Sequence, residues 1–211
     1  MPRHAQPDGL TDVFVDTMTE AVPDTATEWR AQPVEPWLIR GGLACQAWER
    51  ACAQWLHRAT VWPAVLTLFR LVSMMTDALV WLLVFPCLAL WGGPSGMNCI
   101  IRLVGMTAVN LLIYKVCKQG TGRPRPFKNC PGISLCAPTL DEYSFPSGHT
   151  LHVVAFGIIL STYYPTLAWP LGIFAVLVAL SRVILGLHYP SDVLVGAGIG
   201  AVSAWATLRL F

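Results

Sequence analysis

Residues 146–164 read Pro-Ser-Gly-His-Thr-Leu-His-Val-Val-Ala-Phe-Gly-Ile-Ile-Leu-Ser-Thr-Tyr-Tyr. A polar, glycine-flanked start runs straight into an apolar segment close to the shortest length, about 17 residues, that spans a bilayer. The first N–H groups of such a helix lack helical partners and carry the positive end of its dipole. That end is a ready anion site. Ser147 can cap it or donate to an anion, Gly148 lets the backbone come close, and His149 falls in the first turn. His152, one turn deeper, reads as structural.

The rest of the chain has the same character. Of its 211 residues 55% are hydrophobic and 12% charged, the latter about half the share usual for a soluble domain. Apolar runs near 77–91, 97–117, 148–164, 169–187 and 192–210, parted by short polar breaks, predict an all-α, multi-pass transmembrane helical bundle of five to six spans. Residues 64–75 either form a further span or lead into the next. Asp77 is too costly for mid-bilayer and is expected to cap a helix or lie at an interface. Arg102 and Lys115 sit near the ends of their span and can snorkel, while Asn110 needs a partner inside the bundle. Gly196, Gly198 and Gly200 predict close helix packing.

Three regions follow. Residues 1–36, with seven acids and two arginines, read as a disordered acidic tail. Residues 37–60 read as an amphipathic interfacial helix, with Leu38, Cys45, Trp48, Cys52, Trp55 and Leu56 on one face and Arg40, Glu49, Arg50 and Arg58 off it. Residues 61–211 form the transmembrane domain. The N-terminus has no signal-peptide pattern. The net charge of +2 is small, and no nucleic-acid partner is expected. Of seven cysteines, Cys130 and Cys136 flank a short loop and either bridge in an oxidising compartment or stay free.

Two further motifs join the quoted one. Lys118-x6-Arg125-Pro126 lies in a stretch, Lys115 to Lys128, with five cations and no acid. Arginine forks suit phosphate oxygens, but charge alone does not say whether Arg123 or Arg125 reaches them. Ser181-Arg182-x5-His188-x3-Asp192 turns between two spans at Pro190. Ser191 or Asp192 is expected to cap the next helix, and a carboxylate close behind His188 can fix its tautomer and make it a nucleophile. Arg182 in an apolar helix calls for an anion. Two spans separate the second motif from the third, so crossing parity brings all three to one membrane face. Neither paired Asp-x-Asp nor His-x3-His is present, and no metal or other cofactor is expected.

In order and spacing the three motifs resemble the type-2 phosphatidic acid phosphatase superfamily of membrane lipid phosphatases, whose site is shared with vanadium haloperoxidases. The resemblance covers about residues 73–210. It implies a six-helix bundle acting without metal, with His188 as nucleophile forming a phosphohistidine and Asp192 orienting it. It implies that His149 protonates the leaving group, and that Lys118, Arg125, Ser147, Gly148 and Arg182 hold the phosphoryl oxygens. The implied protein is a bacterial inner-membrane enzyme with its site on the outer face. Its partners would be the bilayer and a lipid phosphate: phosphatidate, phosphatidylglycerol phosphate, undecaprenyl diphosphate or a lipid A phosphate. A lipid phosphotransferase using the same intermediate and a catalytically silent membrane scaffold are the alternatives.

Overall fold

The computed structural model describes residues 36–139 and 141–210. The acidic stretch 1–35 lies outside the described residues.

Helix α1 spans Pro36–His57 and is followed by a 3-10 turn, Arg58–Val61. Helix α2 is Pro63–Met74, α3 Ala78–Trp91 and α4 Pro94–Thr121. A four-residue turn of helix, α5, is Pro126–Asn129. Then come α6 Gly148–Tyr163, α7 Ala168–Ile184 and α8 Pro190–Leu210. Proline opens five of these eight helices (α1, α2, α4, α5 and α8), where its missing N–H costs nothing and its fixed φ is already helical.

Among the described residues, three helical stretches are long and apolar enough to cross a membrane: Pro94–Thr121, Pro165–Ile184 and Pro190–Leu210. At 1.5 Å per residue α4 is about 42 Å long, beyond the ~30 Å hydrocarbon core. It therefore overruns the expected span 97–117 at both ends and carries Lys118 past the apolar zone. Residues 64–75 do not continue into the next helix. The chain breaks between Met75 and Asp77, and α2 and α3 are separate short apolar helices.

Helix α6 is the axis of the bundle. It packs most extensively on α8, then on α7 and α4, while α2 lies on α7 and α3 on α4. Its buried residues Ala155, Phe156, Ile159 and Leu160 share a core with Cys99, Leu103 and Met106 of α4 and Ala204 of α8. Two of the three expected glycines explain how α8 comes so near. A Cβ on Gly196 would stand 2.7 Å from the Ser147 carbonyl oxygen, and one on Gly200 would collide with the Leu151 carbonyl, whereas Gly198 faces open space. The outer surface is apolar: Leu83, Leu112, Trp169, Leu194, Val202 and Trp205 are all more than half exposed. Water would tolerate such a belt poorly, but lipid accommodates it.

Helix α1 packs differently from its apolar stripe. Trp48 and Trp55 stay exposed, while Glu49, Ala53 and His57 are buried. His57 is held through Nδ1 to the Ile184 carbonyl, 2.8 Å, and through Nε2 by the Ser134 N–H, 3.1 Å. Glu49 goes inward because Arg123 meets it there, at 2.5 Å. Asn110 is fully buried, and neither amide atom finds the partner expected for it among the described residues. Cys130 and Cys136 are free thiols in two separate apolar clusters.

Candidate active site

The C-termini of α2, α4 and α7 and the N-termini of α6 and α8 lie at one end of the bundle, as their bonds to one another show. The three motifs are stitched together there by backbone hydrogen bonds. Ser144 N–H donates to the Arg123 carbonyl (2.8 Å), Phe127 N–H to that of Gly186 (3.2 Å), and Ser147 N–H to that of Asp192 (3.0 Å). After α7 the chain turns sharply. The Arg182 carbonyl accepts from both Leu187 and His188 N–H, at 3.1 and 3.0 Å. Gly186 takes φ +75° in this turn, and a Cβ there would lie 2.6 Å from Ile133 and 2.8 Å from the Ser134 carbonyl. Only glycine fits.

His188 is buried, with Nδ1 2.6 Å from the Ser144 carbonyl. A carbonyl only accepts, so this contact puts the proton on Nδ1 and leaves a lone pair on Nε2. Nε2 lies 3.4 Å from Arg125 Nη1. Burial first, then the charges of Arg182, Arg125 and Lys118, push the His188 pKa far below the ordinary imidazole range. Both effects favour the neutral ring.

Asp192 is not the group that fixes this ring. Its Oδ2 is 3.8 Å from His188 Nδ1 and instead accepts the Tyr189 N–H at 2.8 Å. Because α8 begins at Pro190, Asp192 is its third residue and reaches back to the residue before the helix, as the far half of a capping box does. Neither Ser191 nor Asp192 is the residue that precedes the helix, contrary to the expected cap. The carboxylate's other oxygen takes Arg123 Nη1 at 2.6 Å.

The two arginines of this loop differ in what they contact. Arg123 is bound to Asp192, Glu49 and Ser191 Oγ, with its guanidinium over the Tyr189 ring. Arg125 is buried beside His188, donating to the Leu187 carbonyl at 3.1 Å and to Asp141 Oδ1 at 2.8 Å. Lys118 Nζ pairs with the same Asp141 oxygen and donates to the Tyr143 carbonyl at 2.6 Å. Arg182 is buried, with Nη1 2.5 Å from Ser73 Oγ and an Nε that has no partner among the described residues. A buried guanidinium with a donor to spare is costly unless an anion meets it.

Ser147 precedes α6 but makes no side-chain cap bond; its buried hydroxyl pairs with Thr150 Oγ1 at 3.0 Å. Gly148 leaves room for the Tyr114 ring, 2.7 Å from where a Cβ would stand. His149 Nε2 is 3.3 Å from Asp77 Oδ1. His152 bonds back to the Gly148 carbonyl at 2.8 Å and lies edge-on to Phe156, as a structural residue would.

Sequence reasoning missed Asp77, Asp141, Glu49, Tyr114 and the Ser144 carbonyl. The three carboxylates had a signal. Glu49 is the lone acid in residues 37–60, Asp77 the lone acid in 61–140, and Asp141 with Glu142 the only acids between the first two motifs. In so apolar a chain an isolated acid points to a cation or histidine that needs it. The Ser144 carbonyl had none, since every residue carries one.

A family model for the PAP2 superfamily matches residues 100–211. The chain belongs to the PAP2 superfamily. Its matching part is 34% identical over 111 residues to an undecaprenyl-diphosphatase of Sulfolobus acidocaldarius, covering 52% of this chain and 54% of that protein. It is 30% identical to a putative undecaprenyl-diphosphatase of Escherichia coli, covering 66% and 80%. It is 37% identical to a decaprenylphosphoryl-5-phosphoribose phosphatase of Mycobacterium tuberculosis, covering 44% and 49%. The chain spans about half the length of several curated relatives it matches. Among solved structures, a PAP2 type phosphatidylglycerolphosphate phosphatase from Bacillus subtilis superposes with TM-score 0.61 at 22% identity, covering 79% of this chain and 86% of that one. Aquifex aeolicus LpxE gives 0.61 at 24%, covering 70% and 87%. At such identities these two likenesses establish a shared fold.

Proposed function

We propose that this PAP2 protein is a metal-independent phosphatase of membrane lipid phosphates or diphosphates, acting through a phosphohistidine. The observation that carries this reading is His188: a neutral, buried imidazole whose Nδ1–H is held by the Ser144 carbonyl while Nε2 faces Arg125. Such a nitrogen is a nucleophile positioned beside a cation that stabilises the anion it attacks. In the first step Nε2 bonds to phosphorus, the bond from phosphorus to the leaving oxygen breaks, and that oxygen takes a proton from His149, whose protonated form is favoured by the seated phosphate's charge and by Asp77 Oδ1 3.3 Å away. In the second, His149 takes a proton from water, whose oxygen attacks phosphorus and releases His188. Arg125, Lys118 and Arg182 hold the phosphoryl oxygens, with Ser147 and the Gly148 N–H at the helix start. Asp192 acts from behind, anchoring the turn that carries His188.

The names of the relatives support one lipid class. Three act, by name, on polyprenyl phosphates or diphosphates, which favours an undecaprenyl diphosphate-like substrate. An apolar groove of about 810 Å³ between α4 and α8 suits the tail; its lining includes Ile113 and Val195, within a turn of Tyr114 and Asp192. The fold reads as the core of a six-helix bundle in a bacterial inner membrane. The α1 tryptophans lie at the interface, and the site opens on the outer face.

The test is phosphate release by the purified protein in detergent with EDTA, across phosphatidate, phosphatidylglycerol phosphate, undecaprenyl diphosphate and a lipid A phosphate. Release from at least one is expected, and His188→Ala should abolish it. Near-normal release by a folded His188→Ala protein would overturn the mechanism. Absence of release from all four would overturn the activity.

A further inference from the structure

The cation seat already holds an anion. Asp141 Oδ1 bridges Lys118 Nζ and Arg125 Nη2, and Oδ2 accepts from the Tyr114 hydroxyl. Both cations are almost wholly buried, whereas the Asp141 side chain is about a quarter exposed. The carboxylate thus enters from the solvent side, on the loop that leads into the second motif. The donors it occupies are those the phosphoryl oxygens need. Arg125 offers one nitrogen to Asp141 and the other toward His188 Nε2, so the carboxylate lies beside the position of attack.

We propose that Asp141 is a displaceable internal anion that sets the charge a ligand must bring, admitting terminal phosphates and rejecting phosphodiesters. This rests on the phosphate-site reading above. Lys118, Arg125 and Arg182 carry three positive charges against the one negative charge of Asp141. A phosphodiester monoanion that displaces the carboxylate swaps one charge for one and gains nothing. A phosphomonoester or terminal diphosphate carries about two charges near neutral pH and leaves the seat better neutralised. The unpartnered Arg182 Nε is a further donor for the added oxygen. Asp141, released, is rehydrated on its exposed side, which offsets part of the bonds it gives up to Lys118, Arg125 and Tyr114. The distinction matters in a bilayer, where diester headgroups greatly outnumber terminal phosphates.

The test uses the full chain in detergent, with thermal unfolding followed while inorganic phosphate or diethyl phosphate is added. The same melt reports folding and, through the ligand-dependent rise in Tm, affinity. In the native protein phosphate should bind and diethyl phosphate should not. In Asp141→Asn and Asp141→Ala, phosphate should bind about tenfold tighter or more, the scale of one charged hydrogen bond, and diethyl phosphate should now bind. Arg125→Ala should lose both. Phosphate affinity unchanged or weakened in the Asp141 variants, with binding still lost in Arg125→Ala, would make Asp141 a strut that positions the cations. That result overturns the inference and leaves the phosphate site standing. Tighter phosphate with diethyl phosphate still excluded would overturn the selection against diesters. If neither Asp141 variant melts cooperatively, its role is structural and the inference fails. If phosphate binds to none of the proteins, native included, the site reading falls with it.

Discussion

Arg123 and Arg125 stand two residues apart in one proline-stiffened loop, yet they serve opposite purposes. Arg123 is spent on the fold, clamped between the buried carboxylates Glu49 and Asp192 and tying α1 to the start of α8. Arg125, in the function proposed above, is kept for a ligand: it is buried beside His188, and its carboxylate partner, Asp141, reaches in from a more exposed loop. An ion group that closes on itself holds structure, and one left open to exchange holds a site. Charge and spacing are nearly the same for the two residues; what differs is how deeply their partners are buried.

The contrast can be broken by substitution. Arg125→Ala should lower kcat/KM by about 10²–10³, the scale for losing one preorganised donor to a developing anion, with little change in Tm. Comparable losses for Arg123→Ala and Arg125→Ala in both activity and Tm would erase the distinction. Arg123→Ala should act mainly on stability, by about 3 kcal/mol, because it strands two buried carboxylates. Denaturant unfolding in a defined detergent would measure that. Asp192→Asn sharpens the comparison further. Since the Ser144 carbonyl, not Asp192, holds His188 Nδ1, turnover should fall only about tenfold, well short of the ~10⁴ seen when an orienting carboxylate is lost. A 10⁴-fold loss in a protein of normal Tm would show that Asp192 closes on His188 during turnover.

The smallest effect concerns pH. Burial alone would raise the Asp141 carboxyl, but hydrogen bonds from Lys118, Tyr114 and Arg125 hold it down at about 2. The unfolded chain, near the ordinary 3.8, takes up that proton first as pH falls. The stability Asp141 contributes is therefore complete above about pH 4 and is lost between pH 4 and 2. Asp141→Asn should flatten that part of the Tm–pH curve. An unchanged curve would show that Asp141 is not held by those cations.

Much of the site could be read from the chain because its chemistry depends on residue types at fixed spacing. The start at Ser147-Gly148-His149, the turn from Arg182 to His188, and the structural role of His152 are local properties of one helix end each. Crossing parity then placed them on one face. The boundaries of α2 and α3 and the extent of α4 were less legible, since an apolar run marks burial in lipid or protein without marking where a helix stops. The Trp48–Trp55 stripe was visible, but the face of α1 that packs was not. It is chosen by Glu49, whose partner lies 74 residues away.

The sequence by itself determined an all-helical membrane protein and the three motifs by which it resembles the PAP2 superfamily. Hydrophobic runs, helix-end signals and motif spacing are written within a few turns of chain. Only the tertiary structure decided the partners: Arg125 rather than Arg123 beside His188, Ser144 rather than Asp192 on its Nδ1, and Asp141 on the cations. Those choices depend on which buried charge finds which counter-charge across 16 to 74 residues, a matter of distance and desolvation that no local pattern encodes.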